Sequence, residues 1–464
     1  MTGKELSAGD RVFSKAVVDS RIAETGMLFA AIPGELTDGH KFIGSAFEQG
    51  ASAALVQEDV SEEFFCLDLR DENGSLPEIP KSDIPVCIRV NDTVEALQKT
   101  AAFHRRQLTG MEVIGITGTV GKTTTKELIY DVLSTRYRTL KTPGNMNNEI
   151  GLPLTLLSTE NNTEQAILEM GFYVPGEIEQ LCRIAVPSVG VITNVGMVHA
   201  SRAGSMEVIA RGKSELIRAL PSDGTAILNY DDPYVRPMAE LTDAGVLYYG
   251  EDPAADLYTS DVESHGLSGI SFCLNYKGQK HSMQTPLVGR HSVMTAMRAA
   301  ATGIVKGLSW DEIEAGLLGG RNQLRMRITR TTGGGLLIDD TYNASPESTL
   351  AALNLLSEMK GRKIAVLGEM RELGQYEKKG HEMVGIRAAA VCDTVVAVGP
   401  VTRYLADAAL GAGMPADKVH WFETTAEAGE FLKKDYGTDT DAMLIKGSRG
   451  MRMEQIVSLL EEKK

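Results

Sequence analysis

The chain carries 62 acidic against 47 basic residues in 464, and its net charge of −15 excludes a protein that grips nucleic acid through a basic surface. Hydrophobic residues make up 43% and charged ones 23%, the balance of a globular chain with apolar surface for several cores. No run approaches the roughly 20 apolar residues that a membrane helix needs.

Length alone predicts about three domains. The start, Met1-Thr2-Gly3-Lys4-Glu5, leads into no apolar signal segment, so a cytoplasmic protein is expected. Five cysteines (Cys66, Cys87, Cys182, Cys273, Cys392) form no C-x-x-C pair. They are expected as buried thiols in a reducing compartment, and not as a zinc site or a disulfide frame.

A first unit spans residues 1–108. Residues 27–32 read as a strand stopped by Pro33-Gly34, a helix runs through Phe42, Ala46 and Phe47, and residues 51–56 read as a second strand. Residues 71–85, rich in Pro, Asp and Glu, read as a loop, and residues 94–108 as a helix. Asp19-Ser20-Arg21 is either an anion contact or an ordinary polar turn.

A second unit, residues 109–323, opens on the apolar run Val113-Ile114-Gly115-Ile116, which reads as a buried strand. Gly118-Thr119-Val120-Gly121-Lys122-Thr123-Thr124 follows, and then Leu128, Ile129, Val132 and Leu133 at helical spacing. Strand, glycine-rich turn and helix make a phosphate loop, in which backbone N–H groups and a helix N-terminus face the phosphates. Lys122 would reach the β- and γ-phosphates of ATP, and the Thr123 hydroxyl would ligate Mg²⁺. One departure stands out: G-x-x-x-x-G-K wants glycine at position 116, where the chain has Ile116. An acidic chain that binds ATP and an anionic substrate must also concentrate cations locally. Two like charges 4 Å apart repel by about 4 kcal/mol at an effective dielectric near 20.

Residues 165–171 form a short apolar strand with Glu169 near its C-terminal end, where open α/β sheets bind ligands. Residues 189–195 form another, delivering Gly196 and then His199. Taken singly, these are a solvated acid and a structural histidine; beside a phosphate loop they are expected metal ligands. Asn145-Met146-Asn147-Asn148, ahead of Gly151-Leu152-Pro153, is a turn or an amide cluster that reads a neutral polar ligand. Lys213 reads as a surface lysine at the start of a helical pattern.

The third unit, residues 324–464, is again α/β. Residues 336–340 form a strand ending in Asp339-Asp340, and residues 363–368, 394–399 and 442–447 form three more, each ending in glycine. Helical patterns between them predict a doubly wound, mostly parallel sheet.

In order along the chain stand the phosphate loop, the residue 145–155 motif, Glu169, His199, Gly289-Arg290-His291, and Asp339-Asp340-Thr341-Tyr342-Asn343-Ala344-Ser345-Pro346. Leu367-Gly368-Glu369-Met370-Arg371-Glu372-Leu373-Gly374 and Lys446-Gly447-Ser448-Arg449 close the series, and Asp19-Ser20-Arg21 and Asp38-Gly39-His40 precede it. Over essentially its whole length the chain resembles the Mur ligases, ATP-dependent amide ligases of peptidoglycan precursor synthesis. The third-unit motifs resemble those of the member that adds a dipeptide.

The resemblance implies three α/β domains: an N-terminal UDP-substrate domain (1–108), a central phosphate-loop ATPase (109–323) and a C-terminal Rossmann-like domain (324–464). It implies ATP held by Gly118, Thr119, Val120, Gly121, Lys122, Thr123 and Thr124, with His291, Thr295, Arg325 and Asp340 as further nucleotide contacts. Two Mg²⁺ ions are implied, on Thr123, Glu169 and His199, with Lys213 where the family carries a carbamylated lysine. Lys122, Lys213, His199 and Arg325 are the expected catalytic residues. Ser20, Arg21, Asn148, Thr155, Tyr342, Asn343 and Ala344 are the expected contacts to UDP-MurNAc-tripeptide and D-Ala-D-Ala. A monomer is expected, with no nucleic acid or membrane partner.

Three departures from the family pattern are visible. His199 is followed by Ala200-Ser201 where His-x-Glu is usual; Ser292 and Thr295 replace the asparagines of Gly-x-His-Asn-x-x-Asn; and Ser345-Pro346 replaces Asn-Pro. The rivals are a sister ligase adding a single amino acid, a degenerate nucleotide-sugar-binding paralogue and a generic phosphate-loop ATPase or kinase. No Asp-Asn-Pro-Arg signature for a diamino acid is present.

Overall fold

The computed structural model describes residues 13–34, 37–70, 84–197, 205–319 and 326–462. Strands β1 (Ala16–Val17), β2 (Leu28–Ala30), β3 (Ala53–Val56), β4 (Phe65–Asp68) and β5 (Val86–Arg89) form a parallel sheet in the order β1-β2-β3-β5-β4. Helices α1 (Ile43–Glu48) and α2 (Thr93–Gln107) accompany it. Asp92 caps α2 by accepting the Glu95 N–H, which satisfies one of the orphan donors of the first turn. The 71–85 reading falls almost wholly outside the described residues.

The middle of the chain builds a nine-stranded sheet. Its members are β6 (Glu112–Thr117), β7 (Thr139–Lys141), β8 (Gln165–Glu169), β9 (Val189–Ile192), β10 (Thr225–Asn229), β11 (Gly245–Gly250), β12 (Leu257–Ser264), β13 (Ile270–Tyr276) and β14 (Gln279–Thr285). Their order is β14-β13-β12-β11-β10-β9-β6-β8-β7. β9 to β12 pair in parallel, whereas β12, β13 and β14 form an antiparallel meander. The helices here are α3 (Lys122–Leu133), α4 (Gly151–Leu157), α5 (Glu177–Ala185), α6 (Met206–Lys213), α7 (Glu215–Arg218), α8 (Val293–Val305) and α9 (Trp310–Leu318).

The last sheet contains β15 (Arg327–Arg330), β16 (Leu336–Asp340), β17 (Arg362–Gly368), β18 (Thr394–Val398), β19 (Val419–Phe422) and β20 (Asp441–Lys446) in the order β15-β16-β20-β17-β18-β19. Only the β15–β16 pair is antiparallel. Helices α10 (Pro346–Glu358), α11 (Glu377–Val391) and α12 (Arg403–Gly411) bury Leu353, Leu356, Val384 and Leu405 in one core with Ala365, Leu367 and Val395 of the sheet. Helices α13 (Thr425–Asp435) and α14 (Glu454–Leu460) bury Leu432, Ile456 and Val457 in another with Ile364, Val366 and Met443. Alternate residues of β17 thus go to opposite faces and both are covered, which is why its sequence reads as one continuous apolar run. The doubly wound expectation is borne out.

By contact the chain divides into two compact units, residues 1–115, 137–171 and 177–188, and residues 116–136, 172–176 and 189–464. Cys87, Cys182 and Cys392 are buried thiols as expected, but Cys66 and Cys273 are half-buried because each lies on a strand with an open face. Among the described residues no helix is long and apolar enough to cross a membrane.

Candidate active site

The phosphate loop is fixed by geometry that only glycine meets. Gly118 has φ +145°, and a Cβ there would lie 1.8 Å from Thr193 Oγ1; Gly121 has φ +83° and immediately precedes α3. Ile116 lies inside β6, fully buried, where no positive φ is required, so the missing glycine of the motif is not missed by the fold. Lys122 begins α3 and folds its amine back onto the loop, donating to the carbonyls of Gly118 (2.7 Å) and Thr119 (3.0 Å). Thr123 and Thr124 occupy the same first turn, half-buried.

The segment after β9 braces this loop from behind. Thr119 N–H donates to the Asn194 carbonyl, Val120 N–H to Asn194 Oδ1 (3.0 Å), and Gly196 N–H to Thr119 Oγ1 (2.8 Å). The Thr193 hydroxyl donates to the Val120 carbonyl at 2.8 Å. A loop backbone held this way need not reorganise when an anion arrives. Sequence reading placed the β9 strand but missed the bracing role of Thr193 and Asn194. It also missed Glu347, in the first turn of α10, whose Oε1 accepts the Met197 N–H (3.0 Å) while Oε2 is buried without a hydrogen-bond partner among the described residues.

Lys213 departs most from its sequence reading. It ends α6 instead of starting a helix, and at 1% exposure it is buried, not a surface charge. Its amine stands 4.9 Å from the centroid of the Phe172 ring. Burial, and then the positive charge of Lys122, push its pKa well below the ordinary lysine value, favouring the neutral amine. Gly212 makes this approach possible, since a Cβ there would lie 2.0 Å from a Phe172 ring carbon. Gly212→Ala is therefore expected to destabilise the protein by about 1–3 kcal/mol, read as a lower denaturation midpoint at unchanged slope.

Glu169 closes β8 and is buried. Its Oε1 accepts from Asn147 Nδ2 (2.8 Å) and its N–H donates to Thr142 Oγ1 (3.0 Å), so one asparagine of the 145–148 cluster orients this acid. Asn148 instead caps α4, its Oδ1 accepting the Gly151 N–H at 2.9 Å. Thr155 is buried within α4 and donates to the Gly151 carbonyl.

Asp19 and Asp38 do the same job in two turns, each accepting the N–H two residues on. Arg21 is exposed and spends its guanidinium on Asp19, while Ser20 is buried. Asp38, His40 and Glu58 bring ligand-type atoms within 4.8 Å of one another. However, His40 donates from Nδ1 to Asp38 (2.7 Å) and accepts the Gln57 N–H at Nε2 (3.0 Å), which leaves neither nitrogen for a metal.

Asp340 pairs with the buried Lys446 at 2.6 Å, and Lys446 also donates to the Asn343 carbonyl at 2.8 Å. This half-buried pair joins β16 to β20 and sets the turn that presents Tyr342 and Asn343, both exposed, ahead of the buried Ala344. Ser345 and Pro346 are the N-cap and first residue of α10, which accounts for Ser-Pro at that place. His381, fully buried, donates from Nδ1 to the Glu377 carbonyl and accepts the Met370 N–H at Nε2, fixing the Glu369-Met370-Arg371 turn. His291 is exposed, and Thr295 is buried in α8 with its hydroxyl accepting from Arg298. His199 and Arg325 lie outside the described residues.

Three family models match the chain in sequence order. They are the Mur ligase family catalytic domain at residues 16–105, the Mur ligase middle domain at 116–303 and the Mur ligase glutamate ligase domain at 324–449. The UDP-N-acetylmuramoyl-tripeptide–D-alanyl-D-alanine ligase of Bacillus subtilis is 37% identical over 455 residues, covering 97% of this chain and 94% of its own. The chain belongs to the Mur ligase family. The ligase of the same name from Escherichia coli is 32% identical, covering 99% of this chain and 96% of its own. Among solved structures, a MurF from Acinetobacter baumannii superposes with a TM-score of 0.82 at 32% identity, covering 97% of this chain and 93% of that one. The Thermotoga maritima MurF ligase in complex with ADP gives 0.80 at 27%, covering 97% of each chain.

Proposed function

We propose that this Mur ligase joins D-alanyl-D-alanine to UDP-N-acetylmuramoyl-tripeptide with consumption of ATP. The observation that carries it is the braced phosphate loop and its neighbouring buried Lys213, on a chain whose near full-length relatives are named for this reaction. Domain boundaries at 108/109 and 323/324 are supported by the family matches at 16–105, 116–303 and 324–449. We take the chain as a monomer that works in the cytoplasm.

A carboxylate is a poor electrophile. The tripeptide carboxylate first attacks the γ-phosphorus, forming a C–O–P bond as ADP leaves. Two anions must approach, so Lys122, with Arg325, offsets their repulsion. The dipeptide amine, having lost a proton, then attacks the acyl carbon; a C–N bond forms and the C–O bond to phosphate breaks. The Tyr342-Asn343-Ala344 turn, set by Lys446, is the proposed C-terminal contact for the dipeptide. Ser20 and Arg21, with Asn148 and Thr155, remain the contacts proposed for the UDP-linked substrate.

The hard oxygen donors of Thr123 and Glu169, the latter oriented by Asn147, fit Mg²⁺, with His199 and a carbamylated Lys213 completing two ions. When bound, Mg²⁺ supplies positive charge to the transferring phosphoryl group.

The test is phosphate release from ATP with UDP-MurNAc-tripeptide, with and without D-Ala-D-Ala, and with D-Ala as control. Release that requires the dipeptide and yields a pentapeptide by mass is expected. Release with single amino acids only would move the chain to a sister ligase, and no release despite tight nucleotide binding would leave it a binding paralogue.

A further inference from the structure

Helix α8 is apolar on nearly every side, yet it carries Arg298 among the fully buried Ala296, Met297, Ala299 and Ala300. Arg298 itself is only 4% exposed. Its Nε donates to Thr125 Oγ1 (2.8 Å), one terminal nitrogen to the Tyr249 hydroxyl (3.3 Å) and the other to Thr295 Oγ1 (2.9 Å). All three partners are neutral hydroxyls, and the Tyr249 ring, 5.8 Å away, adds only a weak attraction. Among the described residues no carboxylate bonds this guanidinium.

A buried arginine without a counter-charge is expensive, because hydroxyls return only part of its lost hydration. The surroundings make it worse. Thr125 lies in the first turn of α3, whose N-terminus is positive, and Lys122 begins the same helix. The guanidinium also underlies the phosphate loop itself: the Cβ position of Gly121 is 3.4 Å from its nitrogen. A cation kept there, under a loop shaped for phosphates, has one obvious counter-charge.

We propose that Arg298 is a positioning cation of the nucleotide site, adding buried positive charge beneath Gly121 whose counter-charge is the bound polyphosphate. The inference rests on the ATP reading of the phosphate loop. It concerns electrostatic support from behind, with no contact between Arg298 and the nucleotide. The hydroxyl network ties the guanidinium to α3 and, through Tyr249, to the carbonyls of Ile192 and Thr193, so loop position and charge are delivered together.

The test titrates ADP, and separately adenosine, into the full-length protein by calorimetry without other substrates. Arg298→Met keeps the volume and removes the charge. It is expected to weaken ADP binding about tenfold while adenosine changes less than twofold, and Arg298→Lys should recover most of the loss. Unchanged ADP affinity in Arg298→Met, or equal losses for ADP and adenosine, overturns the proposal. If Arg298→Met does not fold, Tyr249→Phe decides, since it keeps the guanidinium and removes one neutral partner. ADP should then raise its melting temperature at least as much as that of the wild type, and a smaller rise overturns the proposal. Wild-type protein that binds no ADP would instead refute the ATP reading itself.

Discussion

Lys122→Ala is expected to lower dipeptide ligation by about 10³-fold while leaving the melting temperature nearly unchanged. The magnitude follows from charge. A lysine about 4 Å from the transferring phosphoryl group contributes about 4 kcal/mol at an effective dielectric near 20, and each 1.36 kcal/mol is a decade in rate. The fold bears little of this, because Lys122 is half-buried and its amine donates to two carbonyls of its own loop, those of Gly118 and Thr119, at 2.7 and 3.0 Å. Those two bonds also hold the ammonium over the loop before the nucleotide arrives, so little ordering is left to be done on binding. Lys122→Arg is expected to recover little, since a planar fork does not replace a point charge at the end of this loop. Steady-state phosphate release and a thermal melt check both statements. A Lys122→Ala enzyme with wild-type turnover would sink the acyl-phosphate mechanism at this loop.

The same loop shows what a sequence can disclose. Strand, turn and helix were legible because β6 is an apolar run, α3 repeats its apolar residues at helical spacing, and Gly118 and Gly121 mark the two places of positive φ. The buried strands of the last sheet were legible for the same reason, both faces being covered. The β12–β14 meander was not. β14 buries only Met283 and Thr285, and its polar sequence carries no core signal. Strand β15, with no buried residue at all, was missed likewise. Among the site residues, the ones misread are those whose environment is made by distant parts of the chain. Lys213 reads as a surface lysine because nothing nearby in sequence announces Phe172 across its amine. Asn147 reads as part of a turn or of a ligand-reading amide cluster until Glu169 is placed against it, and Asp340 as a strand-end acid expected at the nucleotide until Lys446 closes on it. Arg298 carried a usable signal, a single charge in an alanine-rich helix, which only its burial makes meaningful.

Replacing Lys213 is expected to cost about 10²- to 10³-fold in ligation, the range for removing one preorganised electrostatic group, and the pattern among variants should reveal the form in which it works. An ordinary lysine with a pKa near 10.4 is neutral in roughly one molecule in 2,500 at pH 7, and only the neutral amine attacks CO₂. Burial against Phe172, beside Lys122, favours that neutral form. Once the N–C bond forms and a proton leaves, the group is an anion, and Lys122, which opposed the ammonium, now stabilises the product. The sign of one interaction thus reverses in favour of carbamylation. Removing CO₂ should lower wild-type activity, and bicarbonate should restore it. Labelled CO₂ should give a carbamate carbon resonance that Lys213→Ala lacks. Lys213→Arg, permanently charged, should be as inactive as the alanine variant, whereas Lys213→Glu, with a shorter carboxylate, should retain more activity. Lys213→Met fills the same space without a buried amine, so it should be inactive yet melt no lower than the wild type, which separates lost chemistry from lost fold. Full activity in CO₂-free buffer, with no carbamate signal, would leave Lys213 acting as a neutral amine and would remove it from the proposed metal ligands.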